Sequence, residues 1–432
     1  MKFTLATAAA AVLMSATASQ AADLAKKAPV AVDYVKVCDA YGAGFFYIPG
    51  TETCIKIGGY LRVQAVGGDD SYGASGNAYY GNFGDNRTSN DFQTMGRFAL
   101  NVDARSMTEF GVLRSFGQAN MSYYGDTGHT FEVDKAYIQF AGITAGYAAS
   151  FWDFFMGYST QFKYGGNGEL DESRNLLAYT FGFGNGLSAT LSIEDAYKTG
   201  RISDAGLYGG NQAPDIVGQI KLDQAWGSAQ LSAVAHHNYG GQTSTSTTTY
   251  TTVASGNTGF PFFIPNAWTT TATTTTTVTP IDVDKWGYAV MAGIQFNLPM
   301  LGAGDKFAIQ AAYGKGALAY VNDNIAKSAT GSVNDFYADG SQSKAWSVYG
   351  GFKHVFSPSL AFNIDAGYTD LDQPAAQLDM TQWDVAANLV WTPVKNLDVS
   401  LGVEYRSTDF DTALPNMDGD GWVVGLRMQR NF

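Results

Sequence analysis

The chain is poor in the residues that most enzymes spend on chemistry. Its 432 residues include two cysteines and four histidines, and charged residues make up only 15%. The histidines, His129, His236, His237 and His354, come with no HExxH pair, no GxSxG turn and no Walker-type glycine loop, so zinc, hydrolytic and nucleotide chemistry lack a constellation. His236 and His237 are adjacent on an alternating stretch and point to opposite faces, one expected inward and one near an outer interface. A surface hydrolase would need a Ser–His pair, for which His237 with its few serine neighbours is the one faint candidate. Cys38 and Cys54 have no histidine near them to complete a metal site, and no cofactor is expected. In an exported chain they are expected to form one disulfide across 15 intervening residues, worth roughly 3 kcal/mol on the chain-entropy model.

Long apolar runs are also missing. After residue 21 no stretch approaches 18 continuous apolar residues, and mean hydropathy is −0.10, which excludes transmembrane helices. The opening MKFTLATAAAAVLMSATASQA has one lysine, an alanine-rich apolar run and small residues at Ser19 and Ala21, the pattern of a cleaved secretory signal over residues 1–21. The run is too short and too alanine-rich to span a bilayer. Losing Lys2 with it takes the net charge from −13 to −14, which argues against nucleic acid as a partner.

Glycine (50 residues), tyrosine (25) and phenylalanine (27) are abundant, and they sit in segments that alternate apolar and polar residues with period two. CIKIGGYLRVQA sets Ile55, Ile57, Leu61 and Val63 against Lys56, Gly58, Tyr60, Arg62 and Gln64; GRFALNVDAR does the same with Phe98, Leu100 and Val102 against Arg97, Asn101 and Asp103. Sixteen such segments are predicted, at 54–66, 95–105, 111–124, 131–140, 143–149, 175–184, 187–196, 214–223, 228–239, 284–297, 305–318, 344–356, 359–371, 380–392, 396–407 and 420–432. Tight turns such as Gly184–Gly186 and Ser357–Pro358 contrast with long connections at 69–94, 150–174, 240–283 and 319–343. A soluble sandwich has no reason to gather its long connections at one end. A membrane barrel does, and its even strand count returns both chain ends to one side. The fold class is therefore all-β: a sixteen-stranded antiparallel transmembrane barrel over 54–432, preceded by an N-terminal periplasmic segment, 22–53. The threonine tract within 240–283 has no face to bury and is expected to be a solvated extracellular loop.

On this phase the inner face receives Lys56, Arg62, Arg97, Arg105, Arg114, Lys135, Lys221, Lys306, Lys353, Arg406 and Arg427, with fewer acids: Asp103, Glu194, Asp223, Asp365, Asp384, Asp398 and Glu404. Only a water-filled lumen tolerates so many inward charges. The connection 150–174, SFWDFFMGYSTQFKYGGNGELDESR, follows the fifth segment, and its aromatics need a wall to pack on. Folded inward, it would bring Asp153, Glu169, Asp171 and Glu172 to face Arg62, Arg97 and Arg114, creating a transverse field that sorts solutes by charge. The alternative is that it latches over a neighbouring subunit.

The stretch VCDAYGAGFFYIPGTETCIKIGGYLR, Val37 to Arg62, resembles the N-terminal signature of the alphaproteobacterial porin family, as do the DLAKKAPV start and the terminal Phe432. The resemblance spans essentially the whole mature chain and is weaker in the loops. It implies a trimeric general porin whose third loop folds into the channel. It further implies an outer membrane of lipid and lipopolysaccharide around the barrel, and an assembly machinery that reads Phe432. General enterobacterial porins carry a PEFGG-like motif in that loop, where this chain has FKYGGNGELDE, with glycines and acids but no proline.

The expected function is passive diffusion of small hydrophilic solutes and ions, with weak cation preference from the net charge. A surface protein whose loops bind host factors or phage is the alternative. Energised uptake is disfavoured, since the roughly 30 residues before the first segment are too few for a plug domain. The last stretch, GWVVGLRMQRNF, puts Trp422 and Phe432 on the lipid face ten residues apart. At ~3.3 Å per residue and a tilt of roughly 40° this spans about 25 Å, the height of the apolar band.

Overall fold

The computed structural model describes residues 36–68, 92–125, 128–162, 171–196, 201–202, 207–254, 268–322, 333–374, 379–411 and 419–432. The expected signal peptide lies outside them. The described residues contain nineteen strands: β1 (Phe46–Tyr47), β2 (Cys54–Gly68), β3 (Phe92–Thr108), β4 (Gly111–Tyr124), β5 (Gly128–Phe140), β6 (Ile143–Ala149), β7 (Ser173–Gly184), β8 (Leu187–Glu194), β9 (Asp215–Gln224), β10 (Gly227–Tyr239), β11 (Gln242–Ala254), β12 (Trp268–Pro280), β13 (Asp284–Asn297), β14 (Lys306–Lys315), β15 (Lys344–Ser357), β16 (Leu360–Asp372), β17 (Met380–Val394), β18 (Leu397–Phe410) and β19 (Gly419–Asn431). Sixteen of them, β2–β10 and β13–β19, form an antiparallel wall in which β10 pairs with β13 and β19 returns to β2, from Val423↔Gly68 to Asn431↔Tyr60. These are the sixteen segments read from the alternation, with ends displaced by no more than about three residues, the scatter expected of boundaries.

The alternation works because successive strand residues face opposite sides. Ile57, Leu61, Val63, Leu177, Tyr179 and Phe181 are each between 52% and 58% exposed on the outside, while Gln64, Ser122, Arg174, Thr190 and Gln310 are buried within. A polar inside and an apolar outside invert the soluble pattern and suit hydrocarbon. Two-residue turns close one end: Ala141 and Gly142 have φ of 49° and 86°, and Asn185 and Gly186 have 51° and 76°, the left-handed pairs that match hairpin twist. At the closure, Phe432 donates its N–H to Gly59 O (3.0 Å) and accepts from Gly59 N (3.2 Å), and its ring stacks on Phe98 at 6.1 Å. Gly59 has φ of 154°, and a Cβ there would stand 2.0 Å from Ala99 O and 3.0 Å from the Phe432 ring, so only glycine lets β3 lie this close beside the terminal residue.

Before β2, Cys38 and Cys54 form the expected disulfide, with Cα atoms 6.0 Å apart. It seals a small cluster with the buried Phe45, against Tyr41 and Tyr47. The cluster stands over inward-facing cations, since the Arg105 guanidinium lies 5.0 Å from the Phe45 ring and the Lys56 ammonium 6.0 Å.

The threonine tract departs from the expected loop. β11 and β12 pair from Gln242↔Pro280 to Ala254↔Trp268 as a hairpin that prolongs the β10–β13 pair. β-branched threonine favours strands without an apolar face. Hydroxyls also pair across this hairpin, at Ser246–Thr276 and Thr248–Thr274 (3.1 Å each) and Thr252–Thr270 (3.3 Å).

Candidate functional site: a belted lumen

The connection after β6 folds inward, and residues 150–162 run along the inner wall across the strands. Their contacts visit the strands in order. Gln219 of β9 donates to Phe151 O (2.7 Å), and Gln230 of β10 to Trp152 O (3.0 Å). A Cβ on Gly293 of β13 would strike the Phe154 ring, so this glycine makes room for it. Gln310 of β14 accepts from Phe155 N (2.9 Å) and donates to Phe155 O (3.2 Å). The Tyr349 ring of β15 packs 5.3 Å from Phe155, and Asp365 of β16 accepts from Tyr158 N (3.0 Å) and Ser159 N (2.5 Å). Asn388 of β17 donates to Thr160 Oγ1 (2.9 Å), and Glu404 of β18 accepts from Phe162 N. Arg427 of β19 donates to Gln161 O (2.6 Å), its guanidinium 5.3 Å over the Phe162 ring, which packs on Val66 and Val423. Eleven residue steps at ~3.3 Å give about 36 Å, and eight inter-strand steps at ~4.8 Å give about 38 Å, so an extended chain advances nearly one strand per residue or two. The segment is a belt over half of the circumference.

A second connection also turns inward. Residues Ala317–Val321 after β14 are fully buried, and Tyr320 meets Trp152 edge-on at 5.3 Å. With Val217, Val234, Ala289, Met291 and Leu371 they form the largest apolar cluster of the described residues, inside the barrel. Arg201, itself buried, ties the two connections together. It donates to Ala319 O (2.7 Å), pairs with Asp153 Oδ1 (2.5 Å), and lies 4.7 Å over the Tyr320 ring. Burial pushes the Asp153 carboxyl up to about 7, against the pull of Arg201. Burial also drives the Tyr320 hydroxyl well above its ordinary value. His236 completes this seam, with Nδ1 2.7 Å from Asp215 and Nε2 2.8 Å from the Tyr208 hydroxyl, which donates to Asp335 (2.9 Å). The inward histidine of the pair is thus a buried anchor, and His237 stands outside beside Trp286, ring centroids 5.0 Å apart.

The expected constriction residues divide. Asp153, expected in the open lumen, instead has a side chain only 6% exposed, because Arg201 pairs with it. Glu169 lies outside the described residues. Asp171 is exposed just before β7, while Glu172 lies 3.7 Å from Arg174 and its N–H donates to Asp153 Oδ2 (2.8 Å). Arg62 and Arg97 are direct cross-strand partners, so they share one level of the wall. Arg114 pairs with Arg105, eight residues further along β3, with its guanidinium on Asp103 (3.0 Å) and Gln139 (2.9 Å). Arg427, counted among the channel charges, holds the belt. The second inward connection, Arg174, Arg201 and the polar wall anchors escape a sequence reading. The run Leu318, Tyr320, Val321 is the one signal that could have flagged that connection.

The described belt ends at Phe162, whose carbonyl accepts from Gln64 of β2 (3.4 Å), and beyond it lies a polar sector that runs from Arg62 on β2 through β3–β5. A model of the Porin subfamily matches residues 23–422. The chain is 28% identical over 445 aligned residues to Porin Omp2b of Brucella suis, across 98% of this chain and 97% of that one. Among solved structures it is similar to the outer membrane channel DcaP of Acinetobacter baumannii, with a TM-score of 0.64 and 17% identity over 89% of this chain and 99% of that one. It is also similar to the trimer form of OmpT of Vibrio cholerae, at 0.50 and 10% over 88% and 100%. At these identities the structural likeness is one of fold.

Proposed function

Since the chain belongs to the Porin subfamily, it is an outer-membrane diffusion channel rather than an enzyme, and we propose that its solutes cross through the lumen sector beyond the belt, from Arg62 on β2 through β3–β5. The belt carries this reading, because it occupies the opposite half of the circumference at successive wall anchors. Passage then depends on the width of that sector and the field across it. Arg62, Arg97 and Arg114 supply one side of the field. Asp171 and Glu172, with Glu169, supply the other, and Asp153 acts beneath them as an anchor.

Residues 1–21 are read as the export signal, 22–53 as a periplasmic segment closed by Cys38–Cys54, and Phe432 as the residue the assembly machinery recognises. The assembly is proposed to be a homotrimer, as OmpT of Vibrio cholerae has a trimer form. The refolded protein in a planar bilayer is expected to give discrete conductance steps. Liposomes containing it should swell in small sugars and not in large ones. Absence of steps would overturn the channel reading.

A further inference from the structure

The open sector is unequal in charge. Along β2–β5 the inward cations are Lys56, Arg62, Arg97, Arg105, Arg114 and Lys135, and the described acids among them are Asp103, Glu132 and Asp134. Asp103 is consumed by two partners, Arg105 at 2.7 Å and Arg114 at 3.0 Å. Glu132 reaches Arg97 only at 3.8 Å, and Asp134 reaches Lys135 at 3.9 Å. Arg62 has a neutral partner: its Nε donates to Gln429 Oε1 (2.8 Å), and its guanidinium lies over the Tyr60 ring at 4.7 Å. Two cations opposite one another weaken a sheet, and no belt residue bonds to Arg62 or Arg97 among the described contacts. Arg97 is held by neutral partners as well, donating to Ser122 Oγ (2.8 Å) and the Tyr124 hydroxyl (2.9 Å), so both guanidinium groups keep most of their charge for the lumen.

The levels of these cations follow from register. Arg62 lies opposite Arg97, Lys135 opposite Gln118 and so level with Asn101, Lys56 opposite Asp103, and Arg114 opposite Arg105. From Arg97 to Arg105 the track runs about 26 Å along the strand at ~3.3 Å per residue, or about 20 Å down the barrel at a tilt of roughly 40°, with a positive group at each stage.

We infer that this wall is a conducting track for anions, and that the channel favours small solutes bearing carboxylate or phosphate oxygens, with the Arg62–Arg97 pair as their recognition step. The inference rests on the channel reading above and runs against the cation preference expected from net charge. Net charge describes the whole chain, whereas permeation reads the charges beside the path. Guanidinium groups present paired donors that match carboxylate and phosphate, and low-dielectric walls focus their field into the lumen.

The test is the reversal potential of the intact protein in a planar bilayer under a KCl gradient. Chloride should permeate better than potassium, and Arg62→Gln with Arg97→Gln should lower that ratio at least about threefold. Arg62→Lys with Arg97→Lys, which keeps both charges, should preserve the anion preference. Inorganic phosphate on one side should depress chloride current through the wild type and spare the glutamine double variant. A cation-selective wild type, or a glutamine variant that conducts with an unchanged ratio, overturns the inference and leaves the channel reading standing. No conductance steps at all would remove the channel reading itself.

Discussion

Asp365 accepts the N–H groups of two successive belt residues, Tyr158 at 3.0 Å and Ser159 at 2.5 Å. Asp365→Ala leaves both donors without a partner, at about 1–3 kcal/mol for each buried group. The middle of the belt should loosen, giving larger and noisier single-channel conductance, while Asp365→Asn should fall between. A quiet alanine channel of wild-type size would show that the belt does not need this anchor. Asp153 makes a different prediction. Its carboxyl is raised by burial to about 7, so the folded state binds its proton more tightly than the unfolded chain between about pH 4 and 7. Its contribution to stability is then fullest at low pH and declines as pH rises through that window. The difference in Tm between the wild type and Asp153→Asn should fall from pH 4 to 7 and level off above; a difference that rises would mean that Arg201 dominates. The loop aromatics were legible in the sequence, because five of them in a short connection need a wall. The anchors were not, since Phe162 and Glu404 are 242 positions apart and no local pattern links them.

At the scale of elements, the sixteen wall strands were legible because each has one apolar and one polar face, and the pattern is set by the pleat alone. β11 and β12 were not, because a threonine strand has two like faces and period two leaves no trace in it. Every side chain described in this hairpin, from Gln242 to Thr252 and Thr270 to Pro280, is exposed. It contributes nothing described to the lumen. Deleting 242–280 should therefore leave conductance and selectivity unchanged, because Gly240 still bonds to Val283 O at 2.7 Å and keeps β10 on β13. Altered conductance after this deletion would place the hairpin in the solute path. The inward connection after β14 was also hidden, because the predicted segment 305–318 carries Ala317 and Leu318 into a strand that in fact stops at Lys315, and leaves Tyr320 and Val321 in a long connection.

For the whole molecule, wall height matters. β6 has 7 residues and β8 has 8, which at ~3.3 Å per residue and a tilt of roughly 40° reach only about 18–20 Å, short of the ~25 Å apolar band. β6 pairs with β5 only from Ala136 onward, so among the described residues the β5 edge over Gly128–Asp134 has no strand on that side. Unpaired backbone in hydrocarbon costs several kcal/mol per group, and a second copy against this low stretch would remove lipid from it. Unheated protein on a denaturing gel should run as a trimer that collapses to monomer on boiling; a monomer in native-mass measurements from mild detergent would count against that assembly. The belt has a consequence of another kind. A strand that slips by two residues keeps its apolar face toward lipid, so the alternation cannot detect the error. The same slip carries a wall anchor some 6–7 Å out of reach of its belt residue. Because the belt touches the strands from β9 to β19 in turn, it works as a checksum on their alignment, and only a correctly registered barrel can fasten it.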